Sequence, residues 1–275
     1  MILTIGDRLV VAGKTDVGCV RTLNEDNLLM DEKLGLLIVA DGMGGHSAGE
    51  VASAQVITSV RQSLKQALKN QPDGIDLSQA ASAEDCQGDD DATLDDIPNP
   101  VMVMLRNAAN EANSTINAVN KQRDCSDGTG MGSTMVGMWL PEFSDVPVVF
   151  HVGDSRLYLY SNNKLTQVTQ DHSMYQRWVN LGRKGPEPAQ NILLQAVGPS
   201  EHISPEVNIK GMKKGDVVLL CSDGLTGMVD IDEIEKVLES ATKKNLDDIV
   251  DKLIDMAKDG GGKDNITVIV GRFIK

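Results

Sequence analysis

Four aspartates stand in four separate, similarly built turns of this 275-residue chain, and residues of that type in that setting point to bound cations. Asp41 lies in Val39-Ala40-Asp41-Gly42-Met43-Gly44-Gly45, Asp154 in Gly153-Asp154-Ser155-Arg156, Asp223 in Ser222-Asp223-Gly224 and Asp264 in Lys263-Asp264-Asn265. The first three each follow an apolar run that reads as a strand, and the fourth precedes one, Ile266-Thr267-Val268-Ile269-Val270. Carboxylates at strand ends can converge on one edge of a sheet, where they repel one another unless hard cations neutralise them. Oxygen-only sites of this kind suit Mg²⁺ or Mn²⁺, and paired ions of that type commonly serve phosphoryl chemistry.

Other residues extend the pattern. Arg21-Thr22-Leu23-Asn24-Glu25-Asp26 sets an arginine ahead of an acidic pair. Its planar guanidinium can hold a phosphate through two parallel hydrogen bonds beside a metal-facing carboxylate. Taken alone, the same residues read equally as a surface ion pair between Arg21 and Glu25. Glycines after Asp41 let a backbone carbonyl approach a cation, and one aspartate there can bridge two ions about 4 Å apart; a plain β-turn is the other reading. His46 titrates near neutral pH and is a candidate general acid, or an ordinary surface histidine. The turns at Asp223 and Asp264 are each weak signals, because Asp-Gly and Asp-Asn are common in turns. Gly260-Gly261-Gly262-Lys263 lacks the spacer and the following Ser or Thr of a nucleotide-binding loop. Neither a cysteine-phosphatase signature nor HExxH occurs, which argues against those two chemistries.

These turns need elements to position them. Short strands rich in β-branched residues are expected at Leu9–Ala12, Leu36–Ala40, Thr134–Leu140, Val146–Val152, Leu157–Ser161, Leu165–Thr169, Val217–Cys221 and Ile266–Phe273, with a hairpin turn at Asn162-Asn163. Apolar residues at helical spacing predict long helices over Ala48–Asn70 and Pro100–Arg123, and shorter ones at Ser173–Leu181, Ile231–Ser240 and Leu246–Lys258. Strands in adjacent runs with helices grouped apart favour antiparallel sheet with packed helices over a doubly wound parallel sheet. The acidic stretch 71–99 reads as a solvated, flexible insertion, and the proline-rich stretch 182–206 as a structured surface flap.

Composition excludes several classes. A formal net charge of −14 disfavours nucleic acid and anionic membrane surfaces as partners. The longest apolar run, Leu36 to Ala40, is far short of a membrane span, and the N-terminus shows no secretory signal. Cys19, Cys86, Cys125 and Cys221 are scattered, which fits free thiols in a reducing cytosol, so a soluble cytoplasmic protein is expected.

Taken together and in order, the stretches Arg21–Asp26, Val39–His46, Gly132-Ser133-Thr134, Gly153–Arg156, Asp171-His172-Ser173, Cys221–Leu225 and Asp264–Thr267 resemble the metal-dependent type 2C Ser/Thr protein phosphatases in their compact bacterial form. The resemblance spans about residues 10–273. It implies one catalytic domain over 1–275, an α+β fold of four layers, α-β-β-α, with two packed antiparallel sheets, a dinuclear metal centre at one end and a flap at about 172–206. Carried over, Asp41 would bridge two Mn²⁺ or Mg²⁺ ions. Asp223 and Asp264 would hold one ion, and the Gly42 carbonyl with a water-mediated Glu25 the other. Arg21 would clamp the phosphoryl group, Asp154 would contribute to a third and weaker metal site, and Asp26 and Asn265 would support. The family chemistry is direct attack on phosphorus by a water held between the cations, without a phosphoenzyme. Some relatives carry a histidine where this chain has Met43, so the proton donor would be His46 or a metal-bound water. The implied partners are phosphorylated proteins and a cognate Ser/Thr kinase, with the chain a monomer. A single phosphoserine regulator as substrate and a catalytically inactive binding module are the alternatives.

Overall fold

The computed structural model describes residues 2–44, 48–70 and 99–275. The strands are β1 (Ile2–Ile5), β2 (Leu9–Asp16), β3 (Asn27–Asp31), β4 (Leu36–Ala40), β5 (Gly42–Met43), β6 (Gly132–Ser133), β7 (Met135–Trp139), β8 (Val148–Val152), β9 (Arg156–Ser161), β10 (Lys164–Gln167), β11 (Glu206–Ile209), β12 (Val217–Cys221) and β13 (Ile266–Phe273). The helices are α1 (Gly49–Lys69), α2 (Pro100–Gln122), α3 (Met174–Asn180), α4 (Asp223–Thr226), α5 (Ile231–Glu239) and α6 (Leu246–Asp259). The acidic stretch lies outside the described residues except for Asn99, whose side chain caps α2 by accepting from Val101 N, with Pro100 at the first helical position.

Two antiparallel sheets form, ordered β1-β2-β13-β12-β9-β10 and β11-β8-β7-β4-β3, with β5 and β6 as a separate small ribbon. Their burial explains why the central strands read as continuous apolar runs. In β4, Leu37 and Val39 point between the sheets, where they join Val11, Val136, Leu220 and Ile269. Leu36, Ile38 and Ala40 point the other way, into a layer with Val56, Val60, Leu105 and Ile116 of α1 and α2. In β12, Leu219 and Cys221 face outward onto Ile234, Leu238, Ile249 and Leu253 of α5 and α6. A strand covered on both faces has no polar side to display. Three apolar interlayers thus make the four-layer α-β-β-α sandwich.

Several boundaries differ from the sequence expectation. The strand expected from Val146 starts at Val148, because Pro147 has no amide hydrogen for a ladder. The strand expected over Leu165–Thr169 ends at Gln167, beyond which the Thr169 hydroxyl accepts from Leu157 N. Strands β1, β5, β6 and β11 and the single turn α4 are too short to announce themselves by periodicity, and β3, as long as β4, has polar residues at both ends, Asn27 and Asp31, instead of a continuous apolar run. The flap contains α3, capped by Ser173 Oγ; the bridge Ser133↔Val197 pins it to the body, and Ser173↔Leu193 closes it on itself.

Candidate active site

Strand register brings the acidic turns together. Cys221 lies opposite both Arg156 of β9 and Val268 of β13, so the turns carrying Asp223, Asp154 and Asp264 leave one end of the first sheet. On the second sheet Ala40 pairs with Asn27, which sends Asp41 and Asp26 out side by side. Arg21, Glu25, Asp41, Gly42, Asp154, Asp223 and Asp264 all line one open cavity of about 620 Å³, with Leu193 and Asn191 of the flap on its wall. His46 lies outside the described residues.

The supports beneath the cavity are hydroxyls and one amide. Asp26, 4% exposed, does not line it; its Oδ2 accepts from Ser222 Oγ (2.7 Å) and Thr267 Oγ1 (2.6 Å). Asn265 latches the Arg21 loop: Oδ1 accepts from Glu25 N (2.8 Å), and Nδ2 donates to Val17 O (3.0 Å) and Leu23 O (2.9 Å). Thr134 fixes Asp41 at both backbone ends, accepting from Asp41 N through Oγ1 (3.1 Å) and donating its own amide to Asp41 O (2.8 Å). Its hydroxyl also meets Ser155 Oγ at 2.7 Å. Thr134 and Ser155 sit inside motifs the sequence offers, but nothing in residue type separates them from ordinary turn residues. Leu193 carries no sequence signal at all.

Burial dominates the electrostatics, and crowding of like charges adds to it. Burial, followed by Asp26, Asp223, Asp154 and Asp264, pushes the Asp41 carboxyl well above the usual range. Asp154 is raised to about 7 by burial, then by Asp223 and Asp171, against the opposing Arg156. Asp26 is raised to about 6 by burial, partly offset by the hydroxyls of Thr267 and Ser222. Burial and Asp264 also raise Asp223, whose Oδ1 is buried without a partner. Arg21 supplies the nearby positive charge, its Nη2 donating to Asp264 Oδ2 at 2.9 Å.

The donor set fits hard divalent cations. It is all oxygen, it is over-supplied with negative charge, and it leaves a buried carboxylate oxygen with no hydrogen-bond donor. Gly49 shows the same fit from the other side. A Cβ there would sit 2.3 Å from Glu25 Oε1 and 2.8 Å from Gly42 O, so the absent side chain lets these two oxygens close on one point.

Comparison with known proteins agrees with this geometry. The family model described as Protein phosphatase 2C matches residues 19–267. The chain is 35% identical to the serine/threonine phosphatase stp of Listeria welshimeri over 265 residues, 94% of this chain and 93% of that protein. It is similar to the crystal structure of the Mycobacterium tuberculosis serine/threonine phosphatase PstP/Ppp, with a TM-score of 0.75, 31% identity and coverage of 98% of this chain and 100% of that one. A second structure, of the PstP catalytic domain in complex with two manganese ions, aligns with a TM-score of 0.73 at 31% identity over 98% of this chain and 99% of that one. Sequence, fold and the carboxylate-lined cavity agree: the chain belongs to the protein phosphatase 2C family.

Proposed function

We propose that this protein is a metal-dependent protein phosphatase that hydrolyses phosphoserine and phosphothreonine in proteins. The observation that carries the reading is the convergence of Glu25, Asp41, Asp154, Asp223 and Asp264 on one cavity with Arg21 at its edge. The similarly folded PstP catalytic domain binds two manganese ions, which supports Mn²⁺ or Mg²⁺ as the cofactor here. On this reading Asp41 would serve both ions, Asp223 and Asp264 would hold one, and the Gly42 carbonyl with Glu25 would hold the other. Asp154 would serve a weaker third site. When bound, the cations neutralise the carboxylates, activate a water near neutral pH and offset charge on the phosphoryl oxygens.

The chain's own residues supply binding and order. Arg21 is half-exposed at the cavity mouth, and its Nη2 contact with Asp264 leaves further guanidinium donors to hold two phosphoryl oxygens. Asn265 and Thr134 fix the backbones of Glu25 and Asp41, so these carboxylates keep their positions as charge develops. Asp26, anchored by two hydroxyls, sits behind Asp41 and Asp223 and adds to the negative charge that bound cations would offset.

The same reading makes 1–275 one catalytic domain with an acidic insertion at 71–99 and a flap at 172–206. Phosphorylated proteins are its substrates and a Ser/Thr kinase its counterpart, with no nucleic acid or membrane partner, in a cytoplasmic monomer. The net charge of −14 disfavours polyanionic partners, and no described helix is long and apolar enough to cross a membrane. The test is hydrolysis of a phosphothreonine peptide after chelation and Mn²⁺ titration. Activity that returns with metal is the expected result. A folded protein inactive at every Mn²⁺ and Mg²⁺ concentration would favour an inactive binding module.

A further inference from the structure

Beyond the cavity, His151, His172 and Glu206 gather with their ligand-type atoms within 4.8 Å of one another. The two imidazoles stack with centroids 4.4 Å apart and planes 22° apart. Such a trio suggests a metal, but the hydrogen bonds around it decide otherwise. Gln195 is held by Ser204 through two bonds, Ser204 N to Oε1 (2.9 Å) and Nε2 to Ser204 O (3.2 Å). That pairing fixes the amide, so Gln195 presents its NH₂ to His172 Nδ1 at 2.9 Å. Gly153 N–H points at the same nitrogen from 3.2 Å. With two donors aimed at it, Nδ1 must be the acceptor, and the neutral ring carries its proton on Nε2.

Nε2 lies 3.5 Å from Glu206 Oε1. His151 Nε2, meanwhile, is committed to Gln170 O at 2.8 Å. Both Nε2 atoms are therefore donors, which leaves no imidazole lone pair facing Glu206 for a cation to share with it. The arrangement is instead a relay from Glu206 through His172 to Gly153 N–H. Gly153 needs it: its φ is +106°, and a Cβ would come within 2.8 Å of Thr134, so only glycine makes this turn. The next residue is Asp154. His172 also ties both sides by backbone, its N donating to Gly153 O (2.8 Å) and its O accepting from Leu194 N (2.8 Å).

We propose that His172, oriented by Glu206 and Gln195, is a positioning residue that holds the Gly153-Asp154 turn against the flap and so sets where the Asp154 carboxylate stands in the cavity. Its catalytic consequence rests on the function proposed above; its geometry does not. The first test uses the metal-free protein. Nitrogen-15 NMR of His172 should show an unprotonated Nδ1 and a protonated Nε2, and the opposite tautomer overturns the relay. His172→Asn keeps an acceptor oxygen near the Nδ1 position, whereas His172→Phe keeps the ring stack without one. Hydrogen exchange at the Gly153 amide should quicken in His172→Phe and return towards wild type in His172→Asn; equal exchange in the two variants overturns the proposal. With Mn²⁺ and an aryl phosphate, kcat should fall about tenfold in His172→Phe, with KM within about twofold, and recover in His172→Asn. Faster Gly153 exchange with unchanged kcat would refute the positioning role while leaving the phosphatase reading intact. Wild-type inactivity would sink that reading, and the tautomer and exchange data would still decide the relay. Should His172→Phe fail to fold, Gln195→Leu removes one of the groups that orient His172, and Gly153 exchange left unchanged by it would count against the relay.

Discussion

Gly49→Ala is expected to leave the fold standing while weakening the hold on divalent cations. Gly49 opens α1, where alanine is favoured over glycine by about 1 kcal/mol. Against this stands the loss of the bond from Gly49 N to Glu25 Oε1 (3.1 Å), which places a carboxylate at the helix start. Such a contact contributes roughly 0.3–1 kcal/mol. The two nearly cancel, leaving the overpacking of the new methyl against Glu25 and the Gly42 carbonyl, about 1–3 kcal/mol, at about 2–4 °C in Tm per kcal/mol for a chain of this size. The site is affected very differently. The new Cβ would start 2.3 Å from Glu25 Oε1, 2.7 Å from Glu25 Cδ and 2.8 Å from Gly42 O. Relief to an ordinary contact requires a shift of about 1 Å by groups proposed to hold one cation. Changes around a metal site typically cost 10–100-fold, so the Mn²⁺ concentration for half-maximal hydrolysis of an aryl phosphate should rise about that much. Urea unfolding in a chelator gives the stability arm and Mn²⁺ titration of activity the other. A metal dependence within about twofold of wild type would show that Glu25 and Gly42 O do not share an ion.

Further outcomes follow from the supports and the crowded charges. Asn265→Ala leaves Glu25 N, Val17 O and Leu23 O without their partner, at about 1 kcal/mol each, so urea unfolding in chelator should report a loss near 3 kcal/mol; less than about 1 kcal/mol would mean water replaces the amide freely. Asp154 is raised to about 7 in the folded chain, so the folded state binds the extra proton. Metal-free stability from this group is therefore full below about pH 4 and lost as pH rises towards 7, by roughly 2 kcal/mol after allowing for partial exposure. Burial holds His151 below its usual value, which gives the opposite slope, so the readout is the difference between wild type and Asp154→Asn; parallel pH profiles in chelator would refute the assignment. Arg156 grips Asp171 with two prongs, Nε to Oδ1 (2.9 Å) and Nη2 to Oδ2 (2.7 Å). Lysine cannot reproduce that fork, so Arg156→Lys should cost about 2 kcal/mol by thermal or urea unfolding, and a change under about 0.5 kcal/mol would show the second prong to be idle.

The chemistry of this protein is written locally. Asp41, Asp154, Asp223 and Asp264 each sit beside an apolar strand whose composition alone announces it, and β4, β12 and β13 have the bounds expected from sequence. The long helices were legible for the same reason, since α1 and α2 bury one face and repeat it every turn. What remained hidden depends on partners far along the chain. Sequence places Asp26 beside Glu25, but only packing turns it inward to Ser222 and Thr267 while Glu25 reaches the cavity. Asn265 reads as a turn residue until the fold brings Val17, Leu23 and Glu25 to its amide. His172 reads as part of a motif until Gln195, anchored by Ser204, fixes its tautomer. Residue type and periodicity are properties of a few consecutive residues, and they determined which groups this protein has available. The distance between two carboxylates depends on strand register across more than a hundred residues, and only the packed sheets could set it.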